Sequence, residues 1–245
     1  MITIVDSPNH GASIVADEIE ALLTAKPTSA LGLATGGTMT EIYRELRRRY
    51  QLGAVSFASM SAFLLDEYVG LPADHPESYV ATIRRLVADG TDLPMSSVHA
   101  PNGAATDLQE ESVRYDQAVT DAQLDMQLLG IGRNGHLAFN EPGSPLDSRT
   151  RCVELTAETI ADNARFFTDE HAVPRRALTQ GIATISQARH LVLVAFGAEK
   201  SAALSAALEG PVTPAVPAAA VQLHPSVTVV ADRAAASQVA MGVGS

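Results

Sequence analysis

Short runs of apolar residues alternate along the chain with stretches in which apolar residues recur at helical spacing. The apolar runs predict strands over residues 2–5, 31–34, 60–65, 125–131, 190–196 and 226–231. The helical spacing predicts helices over residues 12–25, 78–89, 107–122, 156–167 and 198–208, and one more with Met39, Ile42, Tyr43 and Leu46 on its apolar face. This alternation is typical of a parallel sheet with helices on both faces. We therefore expect an α/β fold: a single domain over residues 1–245 with a Rossmann-like, open and mostly parallel sheet.

One segment departs from the alternation. Residues 211–220, with the sequence PVTPAVPAAA, are too rich in proline for a regular helix, and we interpret them as a connecting loop. We find no internal repeat and no charged linker, which agrees with a single domain.

The composition is that of a globular and acidic protein. Apolar residues make up 46% and charged residues 18%, and 17 Lys and Arg face 28 Asp and Glu, a net charge of −11. This charge argues against broad binding to nucleic acid or to an anionic membrane, because both need clustered positive charge. It is compatible with a small anionic substrate, since a few cations and backbone N–H groups suffice for one phosphate.

Cysteine usage and the first residues bear on compartment and metals. Cys152 is the one cysteine, so an internal disulfide is impossible, and no Cys/His cluster has the spacing of a zinc site. The start MITIVDSPNH lacks the features of a signal peptide, and no apolar run approaches the ~20 residues that span a bilayer. We expect a cytoplasmic protein without a metal.

Three polar clusters lie where predicted strands end, the edge at which open α/β sheets bind ligands. The first is Thr35-Gly36-Gly37-Thr38, between a strand and a helix. Two glycines allow a close approach of the backbone, and the start of a helix offers N–H groups to a phosphate. A tight turn with Thr38 as the helix N-cap explains the motif equally well.

The second cluster is Asp66-Glu67, directly after an apolar run. An Asp at a strand end can be a general base for a carbon acid. Taken alone, the motif is more often an Asp that shapes a turn.

The third cluster follows the strand at 125–131 and contains Asn134, His136 and Glu141 in a glycine-rich stretch. An imidazole titrates near neutral pH, and Glu141 can fix its tautomer. A lone His is more often structural, but this density of glycine and polar residues favours a functional site. Arg165 and Lys200 are candidate phosphate ligands, although each also fits an ordinary surface charge.

Together these clusters resemble one family, the glucosamine-6-phosphate deaminases, also called glucosamine-6-phosphate isomerases. The resemblance covers nearly the whole chain through LGLATGGT (31–38), LLDEYVGLPADHPESY (64–79), GIGRNGHLAFNEPGS (130–144), SRTR (148–151), ARFF (164–167), PRRALTQGIATI (174–185), GAEK (197–200) and VQLHP (221–225). It implies conversion of D-glucosamine 6-phosphate and water to D-fructose 6-phosphate and ammonia, by an aldose–ketose shift and deamination, in the catabolism of N-acetylglucosamine. No cofactor is implied.

The resemblance also implies a role for each site residue. Asp66 matches the base that moves a proton between C2 and C1, His136 the group that opens the pyranose ring, and Glu141 its carboxylate partner. The phosphate ligands are implied to be Thr35, Gly36, Gly37, Thr38, Arg165 and Lys200, with Arg165 on a mobile lid at roughly 155–175. Asn134 stands where many members have Asp; it cannot act as a base, but it can hydrogen-bond His136 or substrate.

Some members of this family are hexamers activated by N-acetylglucosamine 6-phosphate. Ser144 and Arg151 match part of that regulatory segment, but Val153 stands where a Lys is expected. We therefore expect an unregulated monomer or small homo-oligomer. The alternatives are a galactosamine-6-phosphate deaminase and, less favoured, a 6-phosphogluconolactonase or a sugar-phosphate sensor without turnover.

Overall fold

Strands and helices alternate along the chain much as the apolar pattern predicts. In the computed structural model, the described residues are 2–72, 74–167 and 172–240, without the side chain of Arg165. The strands are β1 (Ile2–Val5), β2 (Ala30–Leu33), β3 (Ser61–Leu64), β4 (Asp66–Tyr68), β5 (Val98–His99), β6 (Met126–Gly130), β7 (Arg151–Glu154), β8 (Arg176–Thr179), β9 (Leu191–Ala195) and β10 (Val227–Asp232). The helices are α1 (Pro8–Ala25), α2 (Gly37–Gln51), α3 (Tyr79–Leu86), α4 (Leu108–Ala122), α5 (Ala157–Asn163), α6 (Ile182–Ile185) and α7 (Ser201–Glu209).

Seven strands form the main sheet in the order β1-β10-β9-β6-β2-β3-β5, and all their pairings are parallel. Every residue of β2 and of β9 is buried. Successive side chains of a strand point to opposite faces, so both faces of the sheet are covered at these strands. The predicted α/β fold with an open parallel sheet is confirmed.

The first helix starts four residues earlier than its apolar spacing predicts. Ser7 is the N-cap, and its side chain accepts a hydrogen bond of 3.2 Å from the backbone N–H of His10. Pro8 occupies the first helical position, where a missing N–H costs nothing. The cap and the proline therefore set the start of the helix, ahead of its first apolar contacts.

A second sheet was not predicted from the sequence. Its three strands are antiparallel in the order β4-β8-β7, and each has three or four residues. Strands this short carry little periodicity, and β7 (RCVE) has no fully buried residue. This sheet matters for the site because Asp66 is the first residue of β4, two residues after β3 ends.

Two segments differ from the sequence prediction. Within the proline-rich stretch, the loop interpretation is wrong from Pro217, because Pro217–Leu223 forms a 3-10 helix whose first five residues are buried. The helix predicted over 156–167 ends at Asn163 and continues as a 3-10 turn over Ala164–Phe166. Within the described ranges, no helix is both long and apolar enough to cross a membrane.

Candidate active site

Five strands of the main sheet end at one cavity with a volume of about 830 Å³. It is lined after β1 by Ser7 and Asn9, after β2 by residues 35–38, after β3 by Asp66, after β6 by Gly132 and His136, and after β9 by Glu199 and Lys200. Because the strands are parallel, their carboxyl ends meet at one edge, and the polar clusters predicted separately face a common space.

One end of the cavity suits an anion. Gly36 is the N-cap of α2 with φ of 104°, a conformation that favours glycine, and a Cβ on Gly36 or Gly37 would meet no atom within 4 Å. No side chain of the described residues caps this helix, so its first N–H groups and its positive dipole end are available to a ligand. Thr38 lies inside the helix, so the alternative with Thr38 as N-cap is wrong.

Lys200 and Arg165 are the two predicted phosphate cations. Lys200 closes a 3-10 turn (Ala198–Lys200) after β9 and lines the cavity. The backbone of Arg165 lies in the turn Ala164–Phe166, but its side chain is outside the description. Of the lid predicted at roughly 155–175, residues 168–171 are also outside it. The roles of Arg165 and of the lid stay predictions.

The adjacent carboxylates of β4 have different surroundings. Glu67 accepts backbone N–H bonds from Tyr68 at 2.9 Å and from Tyr79 and Val80 at 3.1 Å, so it holds the start of α3. Asp66 lines the cavity and is 7% exposed, and its carboxylate accepts no hydrogen bond from any described residue. Burial, and then the charge of Glu67, raise the pKa of Asp66 well above its ordinary value. Asp66 thus has the features of a base, whereas Glu67 is structural.

His136 is supported from behind by a carboxylate. Its ring packs on Gly132, where a Cβ would come within 2.3 Å of the imidazole. His136 Nδ1 is 3.6 Å from Glu141 Oε2, an ion-pair distance longer than a hydrogen bond. Asn134 donates its amide to the same Glu141 oxygen at 2.7 Å and accepts the backbone N–H of His136 at 3.2 Å. Asn134 therefore fixes the carboxylate relative to the ring.

Glu141 stays ionised despite its burial. Burial by itself raises the pKa of this carboxyl, but the His136 ring and hydrogen bonds from Thr159 and Asn134 outweigh burial and lower the pKa to about 2. Thr159, which reaches Glu141 from α5, was not singled out in the sequence. Neither Glu141 nor Asn134 lines the cavity, so both contact His136 from behind rather than facing the space where a ligand binds.

An aromatic wall was also missed by sequence reasoning. The rings of Tyr68 and Tyr79 are 4.9 Å apart, Tyr79 stacks on Phe139 at 6.1 Å, and Phe167 meets Tyr68 edge-on at 5.7 Å. All four line the cavity, in a chain that is only 4% aromatic. Three of them lie within the DEY, HPESY and AFNEP motifs, but single rings in separate motifs do not indicate that they meet in space.

The described part of the chain contains no group of three or more His, Cys, Asp or Glu side chains placed to hold a metal ion. What the cavity offers is an anion site at the start of α2, a buried carboxylate of raised pKa, and an imidazole backed by a second carboxylate. This set can anchor a phosphate and transfer protons within the ligand.

Comparison with known proteins agrees with this chemistry. The family model described as glucosamine-6-phosphate isomerases/6-phosphogluconolactonase matches residues 7–230. A glucosamine-6-phosphate deaminase of Rhodococcus opacus is 50% identical over 238 residues, covering 97% of this chain and 92% of that protein. One from Beutenbergia cavernae is 50% identical over 239 residues, with the same coverage.

Solved structures show the same relationship. One described as a monomeric glucosamine-6-phosphate deaminase has a TM-score of 0.94 at 41% identity and covers 97% of this chain and 99% of that one. A 6-phosphogluconolactonase from Trypanosoma cruzi has a TM-score of 0.78 at 20% identity, covering 98% and 96%, and shares the fold. The motifs, the fold and relatives half identical over nearly the full length agree, and the chain belongs to the glucosamine-6-phosphate isomerase/6-phosphogluconolactonase family, among its glucosamine-6-phosphate deaminases.

Proposed function

We propose that this enzyme converts D-glucosamine 6-phosphate and water to D-fructose 6-phosphate and ammonia, in amino-sugar catabolism. The observation that carries the proposal is Asp66: a buried carboxylate without a hydrogen-bond donor, in the same cavity as an anion site and an imidazole. A buried, unpaired carboxylate destabilises a fold, so its presence in a cavity favours a chemical role.

Phosphate binding supplies the anchor. The N–H groups at the start of α2, with Thr35, Thr38 and Lys200, hold the phosphate, and Arg165 adds a second cation. Anchoring one end of a flexible open-chain sugar places its C1 and C2 near Asp66 and His136, which converts binding energy into orientation.

Ring opening comes first. His136 moves a proton from the C1 hydroxyl to the ring oxygen, the C1–O5 bond breaks, and C1 becomes an aldehyde. The Glu141 carboxylate stabilises the ring of His136 while it carries a positive charge, and Asn134 keeps that carboxylate in place.

Isomerisation and deamination follow. Asp66 takes the C2 proton while the aldehyde oxygen gains a proton from the ammonium group of the substrate, which gives an enolamine. Asp66 returns its proton to C1, which leaves an iminium at C2. Water adds to C2 and one of its protons moves to the nitrogen; ammonia then leaves with the C–N bonding pair while the C2 hydroxyl releases its proton, and the C2 ketone of fructose 6-phosphate forms. No electron donor or acceptor is needed, because one carbon is reduced as its neighbour is oxidised.

The oligomeric state, the localisation and the regulation are also part of the proposal. We infer that the enzyme is a monomer or small homo-oligomer in the cytoplasm, without activation by N-acetylglucosamine 6-phosphate. The Lys of the regulatory segment is replaced by Val153, and the side chain of Arg151 is engaged with Asn140 and Ser144.

The test is the release of ammonia and fructose 6-phosphate from glucosamine 6-phosphate by the purified chain. Galactosamine 6-phosphate and 6-phosphogluconolactone are assayed in parallel, each with and without N-acetylglucosamine 6-phosphate. We expect turnover of glucosamine 6-phosphate alone, at a rate that the acetylated sugar leaves unchanged. Preferred turnover of either other substrate overturns the assignment.

A further inference from the structure

The two reacting parts of the site are carried by strands that do not touch. Asp66 follows β3 and the catalytic loop, residues 132–141, follows β6; β2 lies between these strands in the sheet. Two strand spacings separate them by roughly 10 Å. Proton transfer at neighbouring carbons needs this separation to be held closely, and the main sheet alone does not extend to the loops.

Gln180, directly after β8, holds the backbone that leads into Asp66. Its backbone N–H donates to the carbonyl of Leu65 at 2.7 Å, and its side-chain Nε2 donates to the carbonyl of Leu64 at 3.0 Å. The preceding Thr179 is the strand partner of Asp66 itself. The two peptide groups before the base are thus fixed from one residue.

The same residue also holds the catalytic loop. The carbonyl of Gln180 accepts the Asn140 side-chain amide at 2.8 Å, and that amide donates as well to the carbonyl of Leu137 at 2.9 Å. Asn140 Oδ1 in turn accepts from Arg151 of β7 at 2.8 Å. Asn140 lies beside Glu141, so Gln180 and Asn140 together span the distance from the base to the loop that carries the imidazole.

Stability alone does not explain this amide. Gln180 and Asn140 have no exposed surface, and Gln180 Oε1 lacks a hydrogen-bond partner among the described residues. An unpaired buried acceptor destabilises the fold, and an apolar side chain avoids that cost.

We propose that Gln180 and Asn140 are positioning residues for the deamination, which set the separation between Asp66 and the His136–Glu141 pair. The proposal rests on the proposed function. Neither residue lines the cavity, so each acts through the backbone it holds rather than on the substrate.

Gln127 provides a matched control. It is also fully buried, donates Nε2 to one carbonyl, that of Leu128, at 2.8 Å, and has an unpaired Oε1, but it lies near the start of β6, at the sheet edge away from the cavity. The variants Gln180→Met and Gln127→Met each remove one buried amide and keep an unbranched side chain.

We expect Gln180→Met to lower kcat by about 10- to 100-fold, because misplacement of reacting groups by about 1 Å has effects of this size. KM for glucosamine 6-phosphate should stay within about twofold, since the anion site is untouched. Gln127→Met should keep both constants while losing similar thermal stability. Equal kcat in the two variants, or a change in KM alone, overturns the proposal.

Asn140→Asp tests the second of the two positioning residues, and it decides the matter if Gln180→Met does not fold. It keeps the shape and the acceptor for Arg151 but loses both donated hydrogen bonds, so kcat should fall by about 10-fold or more at constant KM. The fold-loss of kcat in the double variant should be smaller than the product of the two single losses, because both changes affect the same distance, that between Asp66 and the His136–Glu141 pair. Losses of kcat that multiply overturn the joint positioning role of Gln180 and Asn140. Absence of ammonia release by the wild-type chain overturns the proposed function instead.

Discussion

Asp66 and Glu141 are carboxylates of nearly equal solvent exposure, 7% and 9%, but their surroundings shift their pKa values in opposite directions. At the start of β4, burial and the charge of Glu67 raise the pKa of Asp66. In the catalytic loop, the pKa of Glu141 is lowered to about 2 by His136, Thr159 and Asn134. The deeper burial of Asp66, the charge of Glu67 beside it, and the donors that reach only Glu141 together account for the opposite directions.

The opposite pKa shifts suit two different catalytic roles. A base must be able to take a proton, which requires a carboxylate that gains from protonation. A supporting carboxylate must stay charged beside an imidazole that becomes positive, which requires donors that hold the charge. The surroundings of Asp66 suit the first role, and those of Glu141 suit the second.

The largest effect is expected from Asp66→Asn, set against Glu67→Gln next to it. Loss of the base should lower kcat by about 10³-fold or more, while inhibition by inorganic phosphate stays near normal. Glu67→Gln should change kcat by no more than a few fold and lower the free energy of unfolding by about 1 kcal/mol, because it weakens the start of α3. Steady-state kinetics and urea unfolding measure both. Near-normal turnover in Asp66→Asn contradicts the assignment of the base.

A smaller effect is expected from Glu141→Gln. The change removes the charge that stabilises a positive His136 during ring opening, and kcat should fall by about 10²-fold. The exposed Glu158→Gln in α5 is the control and should leave kcat unaltered. If substrate supplied with a higher open-chain fraction rescues Glu141→Gln, the defect lies in ring opening; rescue of Asp66→Asn by the same substrate speaks against the division of roles.

The pH dependence of kcat/KM sharpens the comparison further. Asp66 acts as a base only when ionised, so activity is lost as pH falls through its pKa, which burial raises above the ordinary 3.8. Glu67→Gln removes a neighbouring negative charge and should move this acidic limb to lower pH. Glu158→Gln should leave the limb in place. A limb that does not move in Glu67→Gln assigns it to another group.

The smallest effect is in stability against pH, where the two groups should have opposite signs. The pKa of Glu141 is lowered from 4.5 to about 2, so the stability that this carboxylate contributes is present above pH 4.5 and lost as pH falls towards 2. The raised pKa of Asp66 does the reverse: its contribution is present below pH 3.8 and lost as pH rises. Urea unfolding between pH 2 and 6 should show Glu141→Gln losing less stability on acidification than the wild type, and Asp66→Asn gaining relative to it as pH rises.

Much of this could be predicted from the sequence because the relevant physics is local. The six principal strands and the parallel sheet follow from apolar runs between helical patterns. Residues 35–38, Asp66 and His136, which line the cavity, follow from polar clusters at strand ends, where an open sheet binds ligands.

The rest required the tertiary structure. In the sequence, residues 66–67 form one motif. Only the folded chain shows that Glu67 accepts the backbone N–H groups at the start of α3, whereas Asp66 faces the cavity. The antiparallel sheet and Gln180 left no local signal, since short strands have no resolvable period and a buried amide is recognised only by its partners. By itself the sequence determined which polar clusters lie at one edge of the sheet. The tertiary structure decided in which of these carboxyl groups the charged form is favoured and in which the protonated form is favoured. The reason is that a pKa depends on donors and neighbours brought together from distant parts of the chain.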